Sequence, residues 1–104
     1  MHRLVSVMKV FEGMEEEYKK RHDNIWPELS TLLKDYGVAN YSIHLNNETN
    51  QLFSYLEVED LNKYESLPEN ELMKKWWAYM EPVMETNTDN SPVSIPLSEV
   101  FYLA

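Results

Sequence analysis

The segment ANYSIHLNNETNQLFSYLEVE, residues 39–59, decides the fold because it holds two β-favouring runs separated by a polar turn. Residues 39–45 and 52–59 alternate apolar and polar side chains and are rich in aromatic and branched residues, which is typical of strands. Residues 46–50 supply the turn between them. The segment therefore predicts an antiparallel hairpin, to which the other elements must attach.

One strand and the beginning of a helix precede this hairpin. Residues 3–11 favour a strand until Gly13 breaks the run. Three glutamates at positions 15–17 follow, and acidic side chains stabilise the positive end of a helix dipole. The order on this side is therefore strand, then helix.

Pro27 interrupts that first helical region. Proline has no backbone amide proton, so we expect it to kink or divide the helix. Asp23 or Asn24 is the expected cap of a second helical segment, which should end before Gly37. A break at this point would open space beside the end of the first segment.

A second helix and a last strand follow the hairpin. A short turn at 60–66 leads to a helix from 69 to about 84, with Pro82 near its fraying end. The polar segment 85–96 reads as a long ordered loop, and the alternation of residues 97–103 predicts a strand. The apolar stripe of the helix consists of Met73, Trp76, Trp77, Met80 and Met84.

These elements follow the order β-α-β-β-α-β in a chain long enough for one domain, residues 1–104. That order is typical of a ferredoxin-like α+β sandwich, with a four-stranded antiparallel sheet and helices on one face. The first strand nevertheless has apolar residues on both sides, among them Leu4 and Met8 on one and Val5 and Val7 on the other. We therefore expect the uncovered face to pack against a second copy in a homodimer.

The composition narrows the class of ligand. A net charge of −9, with nine scattered basic residues, disfavours nucleic acid and anionic membrane surfaces as partners. Two glycines leave no phosphate-binding glycine loop, so a small neutral ligand fits better than a nucleotide. The chain has no cysteine, and no apolar run resembles a signal peptide or a membrane span, so a cytoplasmic location is expected.

His22 is the candidate proton carrier. It lies on an otherwise apolar helical stripe, and imidazole changes charge near neutral pH. His44 shares its strand face with polar residues and His2 lies at the terminus, so neither has this setting. From spacing alone, a core histidine bound to a backbone carbonyl is the commoner explanation of His22.

Three aromatic positions accompany His22 as candidates for binding. Tyr18 lies four residues earlier, so the two side chains share one helix face. Tyr41 alternates with two apolar residues and should point to the covered face of the sheet, where a core role is again the commoner one. Trp76 and Trp77 point about 100° apart, so one of them must leave the centre of the stripe for a cleft or a contact. The histidines show no metal-ligand spacing, and no metal site is expected.

Six short strings carry a resemblance to a known family. They are YKKRH at 18–22, IWPEL at 25–29, NYSI at 40–43, WWAYM at 76–80, DNSPV at 89–93 and EVFYL at 99–103. In their order, spacing and total chain length they closely resemble the L-rhamnose mutarotase family over nearly the whole chain. One departure is Thr88, where the family pattern has proline; losing that restraint is expected to loosen the loop.

The resemblance implies a cytoplasmic homodimeric enzyme that interconverts the α and β anomers of L-rhamnose without a cofactor. It implies that His22 is the proton donor. The residues it implies as sugar-binding are Tyr18, Tyr41, Trp76 and Trp77. Our hypothesis is that protonated His22 serves the ring oxygen, while Tyr18, Tyr41 or a water molecule handles the anomeric hydroxyl.

Two other classes of protein remain as alternatives at this point. Small cofactor-free monooxygenases and haem-handling proteins share the same dimeric barrel arrangement, although only the fold links them to this chain. A non-catalytic interaction module would instead use the aromatic residues as a subunit contact. Binding of haem or the absence of sugar binding would distinguish these alternatives from a mutarotase.

Overall fold

The structure, a computed structural model, describes residues 1–104 as a four-stranded antiparallel sheet with helices against one face. Two short turns of 3₁₀ helix, Leu67–Glu69 and Glu81–Val83, flank the last helix. None of the helices is long and apolar enough to cross a membrane. The main elements are β1 (His2–Lys9), α1 (Glu15–Asp23), α2 (Pro27–Asp35), β2 (Val38–Asn46), β3 (Gln51–Val58), α3 (Leu61–Glu65), α4 (Glu71–Met80) and β4 (Ile95–Leu97).

The strands pair in the order β2-β3-β1-β4, and every pair is antiparallel. β1 and β3 form the centre and pair along their full length, from His2↔Val58 to Lys9↔Gln51. The predicted hairpin forms β2 and β3. Both ends of β2 and the beginning of β3 extend one residue beyond the predicted bounds, and β3 ends one residue earlier than predicted, at Val58. The ferredoxin-like α+β fold expected from the sequence is confirmed.

A β-bulge in β2 decides where its side chains point. Ala39 pairs with Glu57 but the next paired residue is Ser42, so β2 has one more residue than β3 across this interval. Asn40 takes the left-handed φ of 51° and donates a hydrogen bond from Nδ2 to Glu57 Oε1 at 2.9 Å. The extra residue lets Val38 and Ile43 share the helix-covered face although an odd number of positions separates them.

The core lies between the sheet and the helices. Its fully buried members include Leu29 of α2, Leu52 of β3 and Met80 of α4, each no more than 2% exposed. A smaller cluster around Val38 and Val58 lies at the open end of the β2–β3 hairpin, opposite its turn. Burial of these side chains from three elements fixes the helices over the sheet, since each fully buried Leu or Met contributes about 1.5–3 kcal/mol.

The first helical region is divided as Pro27 predicts. α1 ends at Asp23, and Pro27 is the first residue of α2, where its missing amide would have no partner within the helix. The expected cap was wrong: Trp26 precedes α2 without a side-chain cap, and Asn24 donates backwards to the carbonyl of Lys20 at 2.9 Å. Asn24 thus closes α1 instead of opening α2.

The segment after the hairpin contains more helix than expected. The predicted turn at 60–66 is the short helix α3, whose first amides at Asn62 and Lys63 donate to the Asp60 side chain. The long helix predicted from 69 to about 84 is shorter. It begins after the Asn70 cap, ends at Met80 and passes into the 3₁₀ turn that contains Pro82.

The predicted strand at 97–103 was wrong. Strand β4 is only three residues long and pairs with Val5–Val7 of β1. Beyond it, Arg3 holds Glu99 through two hydrogen bonds of 2.8 and 2.9 Å, and Phe101 is 77% exposed. The alternating pattern of the tail is that of a strand, but this chain offers the tail no strand to pair with.

Candidate active site

A cleft of about 1330 Å³ opens between the helices and the covered face of the sheet. This volume exceeds the roughly 300–1,000 Å³ typical of small-molecule sites. The structure brings all five site residues expected from the sequence to this one cleft. They are Tyr18, His22, Tyr41, Trp76 and Trp77.

The imidazole of His22 is anchored at one nitrogen and free at the other. Nδ1 lies 3.2 Å from the carbonyl oxygen of Tyr18, one turn earlier in α1, and with its proton on Nδ1 the ring donates to that oxygen. Nε2 has no protein partner, and no buried polar side-chain atom in the structure lacks a hydrogen bond, so Nε2 remains accessible. The carbonyl contact therefore orients the ring and presents Nε2 to the cleft.

Burial lowers the pKa of His22 from its ordinary value of about 6.5. The backbone carbonyl of Tyr18 and the charge of Asp23 act in the opposite direction without reversing the shift. The neutral ring thus dominates at neutral pH. The protonated ring, when it forms, is a stronger acid than an ordinary imidazolium ion.

Aromatic rings enclose His22 on two sides. The Tyr18 ring lies 4.5 Å from the imidazole centroid with a 31° tilt, and the Trp76 ring meets it edge-on at 5.4 Å. Trp26 in turn meets Trp76 edge-on at 5.1 Å. Edge-to-face pairs at these distances are favourable, so the aromatic packing restricts the imidazole to one orientation.

Helix α1 is tied to helix α4 beside the cleft. Arg21 stacks over the ring of Tyr79 at 4.3 Å and donates a hydrogen bond to its backbone carbonyl. Oε2 of Glu17, four residues earlier, accepts a hydrogen bond from Nε of Arg21 at 2.7 Å. These contacts fix the turn of α1 that precedes His22 relative to the tryptophans of α4.

The two expected tyrosines remain neutral phenols. Burial raises the pKa of Tyr18 well above its usual range, and interaction with Tyr41 raises it further. Burial, followed by interaction with Tyr64, raises the pKa of Tyr41 to about 12. Both hydroxyls are therefore able to donate a hydrogen bond to a ligand or accept one from it at neutral pH, and neither becomes a phenolate base.

Tyr41 reaches the cleft because it lies within the bulge of β2. The residue as a whole is 44% exposed, although burial dominates the pKa of its hydroxyl. The exposed fraction and the raised pKa are consistent if one side of the ring faces solvent while the hydroxyl end lies among protein atoms. Asn40, whose left-handed backbone forms the bulge, thereby directs Tyr41.

The adjacent tryptophans have different environments. Trp76 is 5% exposed and packs into the core against Trp26 and Tyr79. Trp77 is half-buried and lines both the main cleft and a smaller hollow beside Asn90. The expectation that one of the pair leaves the core is met, and Trp77 is the one with a face available to a ligand.

Several polar residues that the sequence did not single out also line the cleft, and three of them come from the centre of the sheet and from α3. Ser6 and Ser54 are cross-strand partners on the covered face, with their hydroxyl oxygens 2.7 Å apart. Tyr64 of α3 is the third. Two paired serines among apolar neighbours in the central strands would indicate a polar point on the covered face. This signal can be used only when the pairing of β1 with β3 is known. Nothing in the spacing of α3 marks Tyr64.

The loop after α4 contributes to the rim of the cleft through Ser91 and Pro92. Asn87 donates from its side chain to Ser91 Oγ at 3.0 Å, and Asp89 accepts from the Ser91 amide at 3.0 Å. These bonds order the loop without proline at position 88. The expected loosening caused by Thr88 stays a prediction.

The geometry combines an oriented imidazole with neutral hydroxyls and an aromatic wall. No three histidine, aspartate or glutamate side chains come together as a set that could hold a metal ion. Such a cleft can bind a neutral polar ligand and exchange protons with it through one histidine. Fold and site together define a ferredoxin-like α+β domain equipped for acid–base chemistry on a small neutral molecule.

Comparison with known proteins gives the family. The family model described as L-rhamnose mutarotase matches residues 3–103, and the chain belongs to this family of carbohydrate isomerases. The L-rhamnose mutarotase of Listeria monocytogenes is 53% identical over 104 residues, covering 100% of both chains. That of Shouchella clausii is 54% identical with the same coverage.

Solved structures support the same assignment. The crystal structure of an L-rhamnose mutarotase from Formosa agariphila matches with a TM-score of 0.93 at 50% identity and covers 100% of both chains. A dimeric ferredoxin-like protein from an uncultured marine organism matches with a TM-score of 0.66 at 16% identity, covering 99% of each chain. The second likeness shows the fold alone.

Proposed function

We propose that this protein interconverts the α and β anomers of L-rhamnose, with His22 as the proton donor. One observation carries the proposal: the imidazole is anchored through Nδ1 and offers only Nε2 to an aromatic cleft. Family membership indicates the sugar, since the relatives are L-rhamnose mutarotases. The reaction needs proton transfer and no redox step, which matches the groups in the cleft.

Ring opening moves two protons. Nε2 of protonated His22 gives a proton to the ring oxygen as the bond between that oxygen and the anomeric carbon breaks. The anomeric hydroxyl loses its proton as its oxygen becomes the aldehyde oxygen. After the aldehyde turns, ring closure returns both protons, so the reaction has no net proton change. The lowered pKa of His22 makes its protonated form the better donor.

The proton of the anomeric hydroxyl goes to water in this proposal. The raised pKa values of Tyr18 and Tyr41 disfavour a phenolate at neutral pH, so neither tyrosine is a strong base. Their neutral hydroxyls instead bind the sugar oxygens and orient the water molecule. Trp77 stacks on the apolar face of the sugar, and Trp76 holds the imidazole from behind.

Exchange between the two anomeric proton signals of L-rhamnose, followed by NMR magnetisation transfer, tests the proposal. The wild-type protein should accelerate exchange above the buffer rate, and His22→Gln should lower the protein-dependent rate about 10²- to 10⁴-fold. His2→Gln is the matched control because His2 is exposed and lies outside the cleft. Exchange at the buffer rate with wild-type protein would reject the function, and wild-type activity in His22→Gln would reject the donor.

We also propose that two copies associate through the uncovered face of the sheet. Val5 pairs with Tyr55 and Leu97, and Val7 pairs with Phe53 and Ile95, which makes the centre of this face apolar. Ile95 is 62% exposed, which is unusual for a large apolar side chain within such a patch. A two-fold dimer would bury this face. A cytoplasmic location likewise stays a proposal.

A further inference from the structure

Tyr64 is a half-buried tyrosine that lines the cleft and has no part in the mechanism described above. It lies on α3, between the hairpin and α4. Its ring packs against both the main core cluster and the smaller cluster around Val38 and Val58. The ring is therefore packed on two sides, which leaves the hydroxyl as the group that can contact a ligand.

The hydroxyl of Tyr64 makes no hydrogen bond to the protein. No buried polar side-chain atom lacks a partner in this structure, so the oxygen keeps accessible surface, and the cleft is the surface that Tyr64 lines. Burial nevertheless raises the pKa of Tyr64 above its ordinary value. A neutral phenol whose oxygen is open to the cleft can donate a hydrogen bond to a ligand hydroxyl or accept one from it.

The neighbours of Tyr64 locate it within the cleft. The imidazole of His22 lies beside the rings of Tyr18 and Trp76, at 4.5 and 5.4 Å between centroids. Tyr64 lines the same cleft but also packs against the second cluster around Val38 and Val58, which contains neither of those rings. His22 and Tyr64 therefore occupy different parts of one cleft. A sugar whose ring oxygen meets Nε2 of His22 would extend its more distant hydroxyls towards Tyr64.

Helix α3, which carries Tyr64, is capped at its N-terminus. Asp60 caps α3 by accepting from the amides of Asn62 and Lys63 at 3.0 and 3.2 Å. The cap fixes the first turn of the helix, and Tyr64 directly follows this turn. A hydroxyl on a fixed ring loses little entropy on binding and discriminates among hydroxyl positions of a ligand.

We propose that Tyr64 is a specificity-determining residue whose hydroxyl binds a sugar hydroxyl remote from the anomeric carbon. This inference rests on the proposed function, because it takes the ligand to be a neutral 6-deoxyhexose. Tyr64 acts on binding and selectivity, whereas His22 acts on the reacting atoms. Loss of the Tyr64 hydroxyl should therefore weaken sugar binding and leave turnover at saturating sugar nearly unchanged.

The test measures binding separately from catalysis. Indole N–H shifts of the tryptophans report the dissociation constant for L-rhamnose, and anomer exchange at saturating sugar reports turnover. Tyr64→Phe keeps the packed ring and should raise the dissociation constant about threefold to tenfold, the factor expected for one neutral hydrogen bond. Tyr36→Phe is the matched control, since Tyr36 is half-buried against the same core but does not line the cleft.

Analogues of L-rhamnose that lack the hydroxyl on carbon 2, 3 or 4 distinguish direct contact from a structural effect. One analogue should bind wild type and Tyr64→Phe equally, because the hydroxyl that meets Tyr64 is already absent. An unchanged dissociation constant for L-rhamnose, or the same loss with every analogue, would overturn the inference. Wild-type protein that binds L-rhamnose without exchanging its anomers would reject only the proposed function; wild-type protein that does not bind it would reject both.

Discussion

The two faces of the β-sheet carry similar apolar residues but have different surroundings. On the covered face, Leu52 and Val58 are at most 2% exposed beneath the helices. On the uncovered face, Ile95 and Leu97 are 62% and 44% exposed, and the tail beyond them is bound through Arg3 and Glu99. The covered face is complete within one chain, whereas the uncovered face has an apolar surface typical of an interface.

The alternation of apolar residues in a strand thus predicts that one face is buried. It does not indicate whether the same chain or a second copy buries that face. His22 and the aromatic residues of the candidate site line the cleft between the helices and the covered face. Substitutions on that side should change stability and chemistry, while substitutions on the other should change association.

The largest expected effect is loss of association in Ile95→Glu. An unpaired buried charge costs about 3–5 kcal/mol, and a two-fold dimer would contain two of them. In the single chain residue 95 is exposed, so folding should be unaffected. Light scattering at micromolar concentration should show a dimer for wild type and a monomer for Ile95→Glu. Ala78→Glu, on the exposed side of α4, is the matched control and should remain dimeric.

Trp76→Ala should produce the largest loss of stability on the covered face. Removing a buried tryptophan typically costs about 3–5 kcal/mol, and Trp76 is 5% exposed. Trp77→Ala removes a half-buried ring, so it should lower stability less and weaken sugar binding more. Urea unfolding and sugar titration of both variants measure the contrast. Equal losses of stability would contradict the separate roles of the two residues.

A smaller effect is expected from Asn40→Ala in the bulge. The left-handed region costs most residues about 1–2 kcal/mol, whereas glycine and asparagine adopt it more readily. Asn40 has this conformation, and alanine would also lose its hydrogen bond to Glu57. Asn40→Gly accepts the same backbone angle and is the control. Thermal melting should rank wild type and Asn40→Gly above Asn40→Ala. The reverse order would show that the bulge is not fixed by its backbone angle.

The smallest predicted effect is the pH dependence of stability that comes from His22. Its folded-state pKa is lowered by burial, so the unfolded chain binds the proton more tightly. The contribution of His22 to stability is therefore intact above its unfolded pKa of about 6.5 and is lost as the pH falls from there towards the folded value. Urea midpoints across this range should show a shallower pH dependence in His22→Gln. An unchanged dependence would argue that the imidazole is not buried.

Most of the fold was predictable because periodicity and turn chemistry are local properties. The hairpin, the division of the first helix at Pro27 and the aromatic stripe of α4 all follow from neighbouring residues. The wrong predictions concern segments whose structure depends on residues far away in the sequence or on the surrounding fold. The tail after Leu97 has a strand pattern but no strand beside it, and Asn24 closes one helix where an opening cap was expected.

The site was predictable where helical spacing or family resemblance carried the signal. Tyr18 and His22 share a helix face, and their contact follows from that spacing alone. Tyr64 was missed because it reaches the cleft from a five-residue helix that has no periodic signal. The lowered pKa of His22 was also out of reach, since burial depends on the whole packed structure.

The most direct test of the central claim compares the pH dependence of anomer exchange with the titration of His22 itself. The protein-dependent kcat/KM for L-rhamnose and the imidazole proton shift would be measured on the same samples from about pH 5 to about pH 8. If His22 is the proton donor, kcat/KM falls as pH rises through the His22 midpoint, and that midpoint lies below about 6.5. A rate that rises with pH through the same midpoint, or that ignores it, would contradict the account.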